Sequence, residues 1–569
     1  MLVELVCLGL MAVLVADVFL GVFSRYVMHA TFQWYDEVAR FCFVWMIFLG
    51  AAVAVRRGAH FRLHLLVDRL RPAVRRRVEV IDTLIVIAFA AVLVAGGIAI
   101  LPIARRQVTD ALEISMVWFY GALPVGGALM ILFALPQLWK LARAMILVSL
   151  VFLVLLGIGV PVAVSVGAAG YVGALLAAPS PLAVSVQTIL HQVDSFVLLS
   201  LPLFILAGAL METGGIARRL VALAVALVGW IRGGLGMAVI TAEYIFSGIS
   251  GSTVADVSAV AATTIPGMVR AGYSKELAVA VVSAASAMGI LVPPCILMIV
   301  IGSVASLSVA ALFTAGFAPA VVLALALMVY VWWRAGKSGI AAEPVPTAGA
   351  LGRAVWHALI PLGMPAIIFG GILGGIMTPT EASVLAVLYA AIVGLFVYRE
   401  IRWRDLPEIV VKSAMVTGAV GLLLGTAGLV SWFLTVQQMP AALIRLMTVV
   451  PGSSTVFLFA TAVIFVFFGA VIEGLPAVVI LLPSLLPVAG GLGIDPIHYA
   501  IVIVAAVGIG LFLPPIGVGL FIACGIADLS VDRATRAMLP FVAVLAVGLV
   551  VIILVPWITL VLPRLFKLL

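Results

Sequence analysis

The residues best suited to do chemistry lie in the run Ser247-Gly248-Ile249-Ser250-Gly251-Ser252-Thr253-Val254-Ala255-Asp256. Hydroxyls and freed backbone carbonyls are hard oxygen ligands for a small cation, and glycine lets the backbone turn close to a ligand. A helix starting at Ser252–Ala255 would offer N–H groups and a positive dipole end to a carboxylate. The alternative is a small-residue helix contact with no ligand, which leaves Asp256 buried without a role.

A second run is Gly289-Ile290-Leu291-Val292-Pro293-Pro294. Two prolines remove two N–H donors and clash with the preceding turn, so the helix breaks and releases carbonyls around Gly289 and Val292. A kinked span is the plainer reading of one such break. The pattern recurs, however, as Gly510-Leu511-Phe512-Leu513-Pro514-Pro515, which argues against two idle kinks. A third run, Phe468-Gly469-Ala470-Val471-Ile472-Glu473-Gly474-Leu475, carries an acid between apolar arms. A carboxylate at membrane depth is a functional candidate by default, unless Glu473 is a rim residue touching water. Met377-Thr378-Pro379-Thr380-Glu381 reads as a helix cap with a first-turn acid. Trp34, Glu37 and Arg40 share a helix face and read as interfacial anchors and an inter-unit contact.

The elements that position these groups are membrane helices. The chain is 65% hydrophobic and 9% charged, with a mean hydropathy of +1.36. Soluble domains carry about 25% charged residues, so lipid is the main solvent here. Backbone polar groups in lipid must pair internally, and the continuous apolar runs select helices over a barrel. The net charge of +8 comes from residues between apolar runs, which fits cytoplasmic loops and excludes a nucleic-acid surface. Cys7, Cys42, Cys295 and Cys524 lack metal spacing and read as small hydrophobes. Residues 1–24 read as a first span rather than a cleaved leader.

Residues 1–143 are expected to form a four-span unit, with spans near 3–24, 33–55, 80–104 and 116–139. The basic cluster from Arg56 to Arg62, and on to Arg75-Arg76-Arg77, assigns its central loop to the cytoplasm. The rest contains a repeat. A shift of 221 positions superimposes Pro266, Gly272, Val281, Ala284, Ala285, Gly289, Pro293 and Pro294 on Pro487, Gly493, Val502, Ala505, Ala506, Gly510, Pro514 and Pro515. The first copy is expected over 144–333, a cytoplasmic linker over 334–353, and the second copy over 354–569. Arg232, Arg270 and Lys275 flank Gly233–Met268 and turn both its ends to the cytoplasm, so it reads as a re-entrant hairpin. No Lys or Arg occurs from Leu446 through Asp532, so Ser453–Ala489 enters from the opposite side. The expected fold is therefore an all-α integral membrane protein with inverted repeats, two re-entrant hairpins and two broken helices, plus the four-helix small unit. One parity problem remains: a span between the units is missing, unless a long broken helix covers 146–177.

At these residues the chain resembles the fused membrane component of a tripartite ATP-independent periplasmic (TRAP) transporter. Residues 1–143 resemble the small Q-type subunit through Phe23-Ser24-Arg25-Tyr26, Trp34-x-x-Glu37-x-x-Arg40 and Arg56–His60. Residues 145–569 resemble the large M-type subunit through Phe246–Asp256, Gly289–Pro294, Thr378–Glu381 and Gly510–Pro515. The resemblance implies an elevator mechanism in a bacterial inner membrane, with a periplasmic binding protein delivering a small organic acid. It implies one sodium near Ser247, Ser250, Gly289, Val292 and Pro294, and a second near Gly469, Glu473, Gly510, Leu513 and Ile516. Substrate is expected near Ser252, Thr253 and Asp256. The resemblance implies sodium as the coupling ion; no other cofactor and no catalytic residue is expected.

Two departures stand out. Leu513 replaces the threonine usual before the second Pro-Pro, which leaves that site to backbone carbonyls. The connecting helix common in fused members is also missing, the same span that charge found wanting. Two sodium ions with a monocarboxylate would be electrogenic, each net charge gaining about 2.3 kcal/mol per 100 mV. The nearest rival is an inverted-repeat carboxylate transporter working without a binding protein, against which the appended small unit argues. An enzyme lacks a His, Ser–His or paired-Asp constellation in this sequence, and ATP drive lacks a phosphate loop.

Overall fold

The computed structural model describes residues 2–27, 34–57, 72–141, 155, 158–177, 182–250, 253–338, 340, 342–436, 453–472 and 474–569. Among these residues the chain is helical, joined by turns and one isolated bridge between Val108 and Ser115. Eleven described helices are long and apolar enough to cross a membrane, as a rise of about 1.5 Å per residue across about 30 Å of hydrocarbon requires. The four cysteines are buried and unpaired with one another.

Helices α1 (Leu2–Tyr26), α2 (Trp34–Arg57), α3 (Pro72–Ala104) and α4 (Ala122–Leu141) occupy the four expected spans of the small unit. The fourth begins close to its expected start with the helical turn Val117–Tyr120, and the loop before that turn is pinned. The Glu37 carboxylate accepts from the N–H groups of Ala111 (2.6 Å) and Leu112 (2.9 Å). The chain continues through α5 (Val162–Ala177), α6 (Leu182–Val193), α7 (Ser200–Thr213) and α8 (Ile216–Val228). Of the expected broken helix over 146–177, residues 146–154, 156 and 157 lie outside the described residues and α5 covers Val162–Ala177; the basic stretch Gly58–Arg62 also lies outside them.

Next come α9 (Gly234–Ser250), α10 (Thr253–Arg270), α11 (Lys275–Gly289), α12 (Ile296–Val304) and α13 (Val309–Ser338). Then follow α14 (Ala348–Leu373), α15 (Pro379–Ile392) and α16 (Leu406–Val436). The last are α17 (Ser453–Ile472), α18 (Gly474–Gly491), α19 (Pro496–Leu511), α20 (Val518–Ala527), α21 (Val531–Leu554) and α22 (Trp557–Leu565). Helix α13 runs further than the apolar run Val309–Trp333. Cations cover its terminal indoles, Arg232 over Trp332 at 4.2 Å and Lys337 over Trp333 at 3.9 Å, which favours another helical turn.

Two compact units divide the chain. One comprises Met1–Pro202, Leu406–Ala442 and Val479–Ser484. Within it α2 packs on α1, α4 and α16, while α16 also packs on α5 and α6. Helices α2 and α16 cross backbone to backbone: a Cβ on Gly418 would stand 2.6 Å from the Ala51 nitrogen, and one on Gly50 2.7 Å from the Ala414 oxygen. Small residues permit this approach, which membrane helices use in place of a hydrophobic drive.

The other unit comprises Leu203–Asp405, Leu443–Val478 and Leu485–Leu569. Its elements recur: adding 221 to Thr253–Arg270 gives Gly474–Gly491, the bounds of α18, and Lys275 maps to Pro496 at the start of α19. Helix α11 packs on α21 and α19 packs on α13, each copy reaching into the other. The equivalents α11 and α19 also meet, at Ala287 and Gly508, which differ by the same 221; a Cβ on Gly508 would stand 2.5 Å from the Ala287 oxygen.

Candidate functional site

The site grows from three helices of the second unit. Helix α9 carries Glu243 and Ser247 one turn apart, hence on one face. Helix α10 brings Asp256 in its first turn, and α11 brings Ser286 and Gly289 at successive turns. Helix α9 packs on both α10 and α11, which gathers these positions. All four polar side chains are withdrawn from the surface: Glu243 and Ser286 are 0% exposed, Ser247 and Asp256 2%.

Their hydrogen bonds form one network. The Ser247 hydroxyl lies 2.7 Å from Asp256 Oδ2 and 3.3 Å from Glu243 Oε2. Ser286 donates to the other Glu243 oxygen. A serine has one proton, so Ser247 donates to one carboxylate at a time. The remaining oxygen–oxygen contact calls for a proton or a cation to bridge it. Two buried carboxylates without a compensating positive charge are expensive in low dielectric. Gly289 closes the cluster, because a Cβ there would fall 2.2 Å from the Ser247 oxygen. The end of α11 thus lies against the hydroxyl, and the break that follows buries Val292 and Pro294. The side-chain donors here are hydroxyl and carboxylate oxygens, which are hard ligands.

The second copy has its own close approach. A Cβ on Gly510 would stand 2.4 Å from the Val466 oxygen and 2.9 Å from the Gly469 Cα, so α17 and α19 touch at the two glycines. In the following break the Gly510 carbonyl accepts from Leu513 N–H at 2.9 Å, and the Leu513 carbonyl from Gly517 N–H at 2.8 Å. Leu513 is half-buried and Ile516 exposed. Both breaks contain a cis Pro–Pro bond, Pro293–Pro294 and Pro514–Pro515.

The structure therefore brings Ser247, Gly289 and Asp256 together, and separately Gly469 and Gly510. Ser250 ends α9 and Thr253 opens α10. Ser252 and Glu473 lie outside the described residues. Asp256, expected beside the substrate, bonds to Ser247 of the expected cation set. Sequence reading missed Glu243, although its signal is plain: a lone acid in the apolar run Met237–Phe246. Ser286 offered no such signal. Elsewhere, the expected helix cap with its first-turn acid is a full capping box, the Thr378 hydroxyl accepting at 3.3 Å and the Glu381 carboxylate at 2.7 Å. Arg40 reaches Asp194 at 4.0 Å.

Comparison with known proteins gives two family matches. Residues 147–558 match the family described as tripartite ATP-independent periplasmic transporter, DctM component, and residues 10–144 match the DctQ component. The isethionate TRAP transporter permease protein DctMQ of Oleidesulfovibrio alaskensis is 32% identical over 92% of this chain and 87% of its own. The sialic acid TRAP transporter permease protein SiaT of Haemophilus influenzae is 30% identical over 96% of this chain and 95% of its own. The large permease protein DctM of the C4-dicarboxylate TRAP transporter of Pseudomonas aeruginosa is 36% identical over 70% of this chain and 94% of its own.

Proposed function

The chain belongs to the tripartite ATP-independent periplasmic transporter family as a fusion of its DctQ and DctM membrane components, and from that premise we propose sodium-coupled uptake of a small carboxylate by an elevator motion. As a family member it is a multi-pass inner-membrane protein for secondary transport of small organic anions, and a transporter rather than an enzyme. A periplasmic binding protein delivers the substrate in this reading. Residues 1–143 are the Q-type unit, 144–333 and 354–569 the two repeats, and 334–353 the cytoplasmic linker. The relatives' names specify isethionate, a sulfonate, and sialic acid and C4-dicarboxylates, which are carboxylates; the latter two support the choice of a carboxylate among organic anions.

The observation that carries sodium coupling is the buried pair Glu243 and Asp256 around Ser247, against the end of a broken helix. Two fixed negative charges repel an anionic substrate through low dielectric. A cation held between them removes that repulsion, so cation and anion bind better together than apart. This is a physical reason for symport. In this reading the first sodium is held by Ser247, Ser250, Gly289, Val292 and Pro294, joined by Glu243. The second uses Gly469, Glu473, Gly510, Leu513 and Ile516, and the substrate approaches Ser252 and Thr253 above Asp256. The reciprocal packing of α11, α13, α19 and α21 supports two repeats of opposite orientation, the plan that permits alternating access around a central site.

The test is uptake of radiolabelled organic acids into proteoliposomes, with their binding proteins outside and an inward sodium gradient imposed or absent. Uptake requiring sodium and binding protein together, and lost in Asp256→Asn, supports the proposal. Uptake that ignores the sodium gradient refutes the coupling. Uptake without a binding protein refutes the tripartite delivery.

A further inference from the structure

We propose that a basic cavity between the N-terminal turns of α11 and α21 and the C-terminal end of α13 binds the phosphate of an anionic membrane phospholipid. Its volume is about 1060 Å³, and three arginines, Arg334, Arg533 and Arg536, line it. Two acids share the lining, Glu276 and Asp532, so the cavity carries a net positive charge. Arg533 is already committed, its Nη2 standing 2.6 Å from Glu276 Oε1. Arg334 and Arg536 form no ion pair among the described residues, and both are exposed to the cavity mouth. Two uncommitted guanidiniums on facing helices offer forked donors of the kind that grip a phosphodiester.

The rest of the lining distinguishes a lipid from a free anion. Tyr330 and Trp333, their ring centroids 5.8 Å apart, share the lining with Ala537 and Pro540. Amphipathic aromatic rings at helix ends belong to the headgroup level of a bilayer. The lining therefore combines basic and apolar groups, matching a headgroup with its attached glycerol and acyl stems. Sidedness agrees. Lys275 and Lys337 belong to the same helix ends and Arg270 ends the adjoining α10, and the positive-inside rule assigns such clusters to the cytoplasmic leaflet, where anionic lipids attract basic groups. Because the cavity joins the base of the first hairpin (Gly272–Glu276) to α21, a bound lipid would brace these two elements.

The full-length chain, purified in detergent and stripped of lipid, is titrated with phosphatidylglycerol, phosphatidylcholine or inorganic phosphate while its melting temperature is followed. Phosphatidylglycerol should raise the melting temperature at concentrations where the other two do not. In Arg334→Gln/Arg536→Gln the phosphatidylglycerol midpoint should move at least about tenfold higher, the worth of one lost charged contact. Glu276→Gln frees Arg533 and should move it lower, a change of sign that misfolding does not produce. An unchanged midpoint in the double variant, or a higher or unchanged one in Glu276→Gln, overturns the proposal. Equal protection by phosphatidylcholine removes the anionic headgroup from it, and equal protection by inorganic phosphate leaves a free-anion site instead.

Discussion

Ser247 holds one hydroxyl proton between two carboxylate oxygens, and that shortage of protons is the central chemical fact of the site. Glu243→Gln replaces a charge with an amide that can donate to the hydroxyl, satisfying the geometry without a cation. The half-saturating sodium concentration for uptake is expected to rise by about tenfold or more, since hydrogen bonds to charged groups are worth about 1.5–3 kcal/mol. In the same variant, the rise in melting temperature that sodium gives the native chain should shrink, because only ligand bound to the folded state stabilises it. Both are read from sodium titrations, and an unchanged sodium response would remove Glu243 from the site. Gly289→Ala tests the neighbouring contact. Its Cβ would stand 2.2 Å from the Ser247 oxygen, so Ser247 or α11 must shift. Uptake should fall sharply, and overpacking should cost about 1–3 kcal/mol of stability in a thermal melt.

The helices of this chain announce themselves through length and apolar composition, and their ends through ordinary caps. Thr378 and Glu381 are an example: sequence gives a helix cap and a first-turn acid, and the structure joins them as a capping box. Thr378→Ala should lower stability by about 1 kcal/mol in a thermal melt, with uptake retained. The breaks were legible for the same local reason, since a Pro-Pro pair cannot continue a helix. What composition could not show is which helices cross. Gly418 lies in one apolar helix among many, yet its Cβ would strike the backbone of α2 at Ala51. Gly418→Leu should separate α2 from α16 and lower the melting temperature far more than Gly425→Ala, where the nearest neighbour is a side-chain methyl at 2.9 Å.

For the whole molecule, the division into chemical units and the division into compact units differ. Residues 1–143 read as a small separate component, but its helices share a compact unit with α5, α6 and α16 of the larger part. Residues 1–143 and 144–569 expressed as two chains should therefore co-purify, and Gly418→Leu should abolish the co-purification. Failure of the intact halves to associate would mean that the covalent link, rather than the α2–α16 crossing, holds them together.

Much of the site was legible because its signals are local. Ser247–Asp256, the two Pro-Pro breaks and the 221-residue repeat are patterns along the chain, and lipid makes any polar group in an apolar run conspicuous. The helical, membrane-spanning character follows from composition, since an unpaired backbone has no partner in hydrocarbon. Partner choice is another matter. That Glu243 shares a hydroxyl with Asp256 on the next helix, that Ser286 faces Glu243, and that Ala287 meets its own repeat equivalent Gly508 are facts about which helices meet. Hydropathy is nearly uniform across these helices, so it cannot specify which faces meet. Close packing and the pairing of buried charge decide that, and both exist only once the helices are assembled.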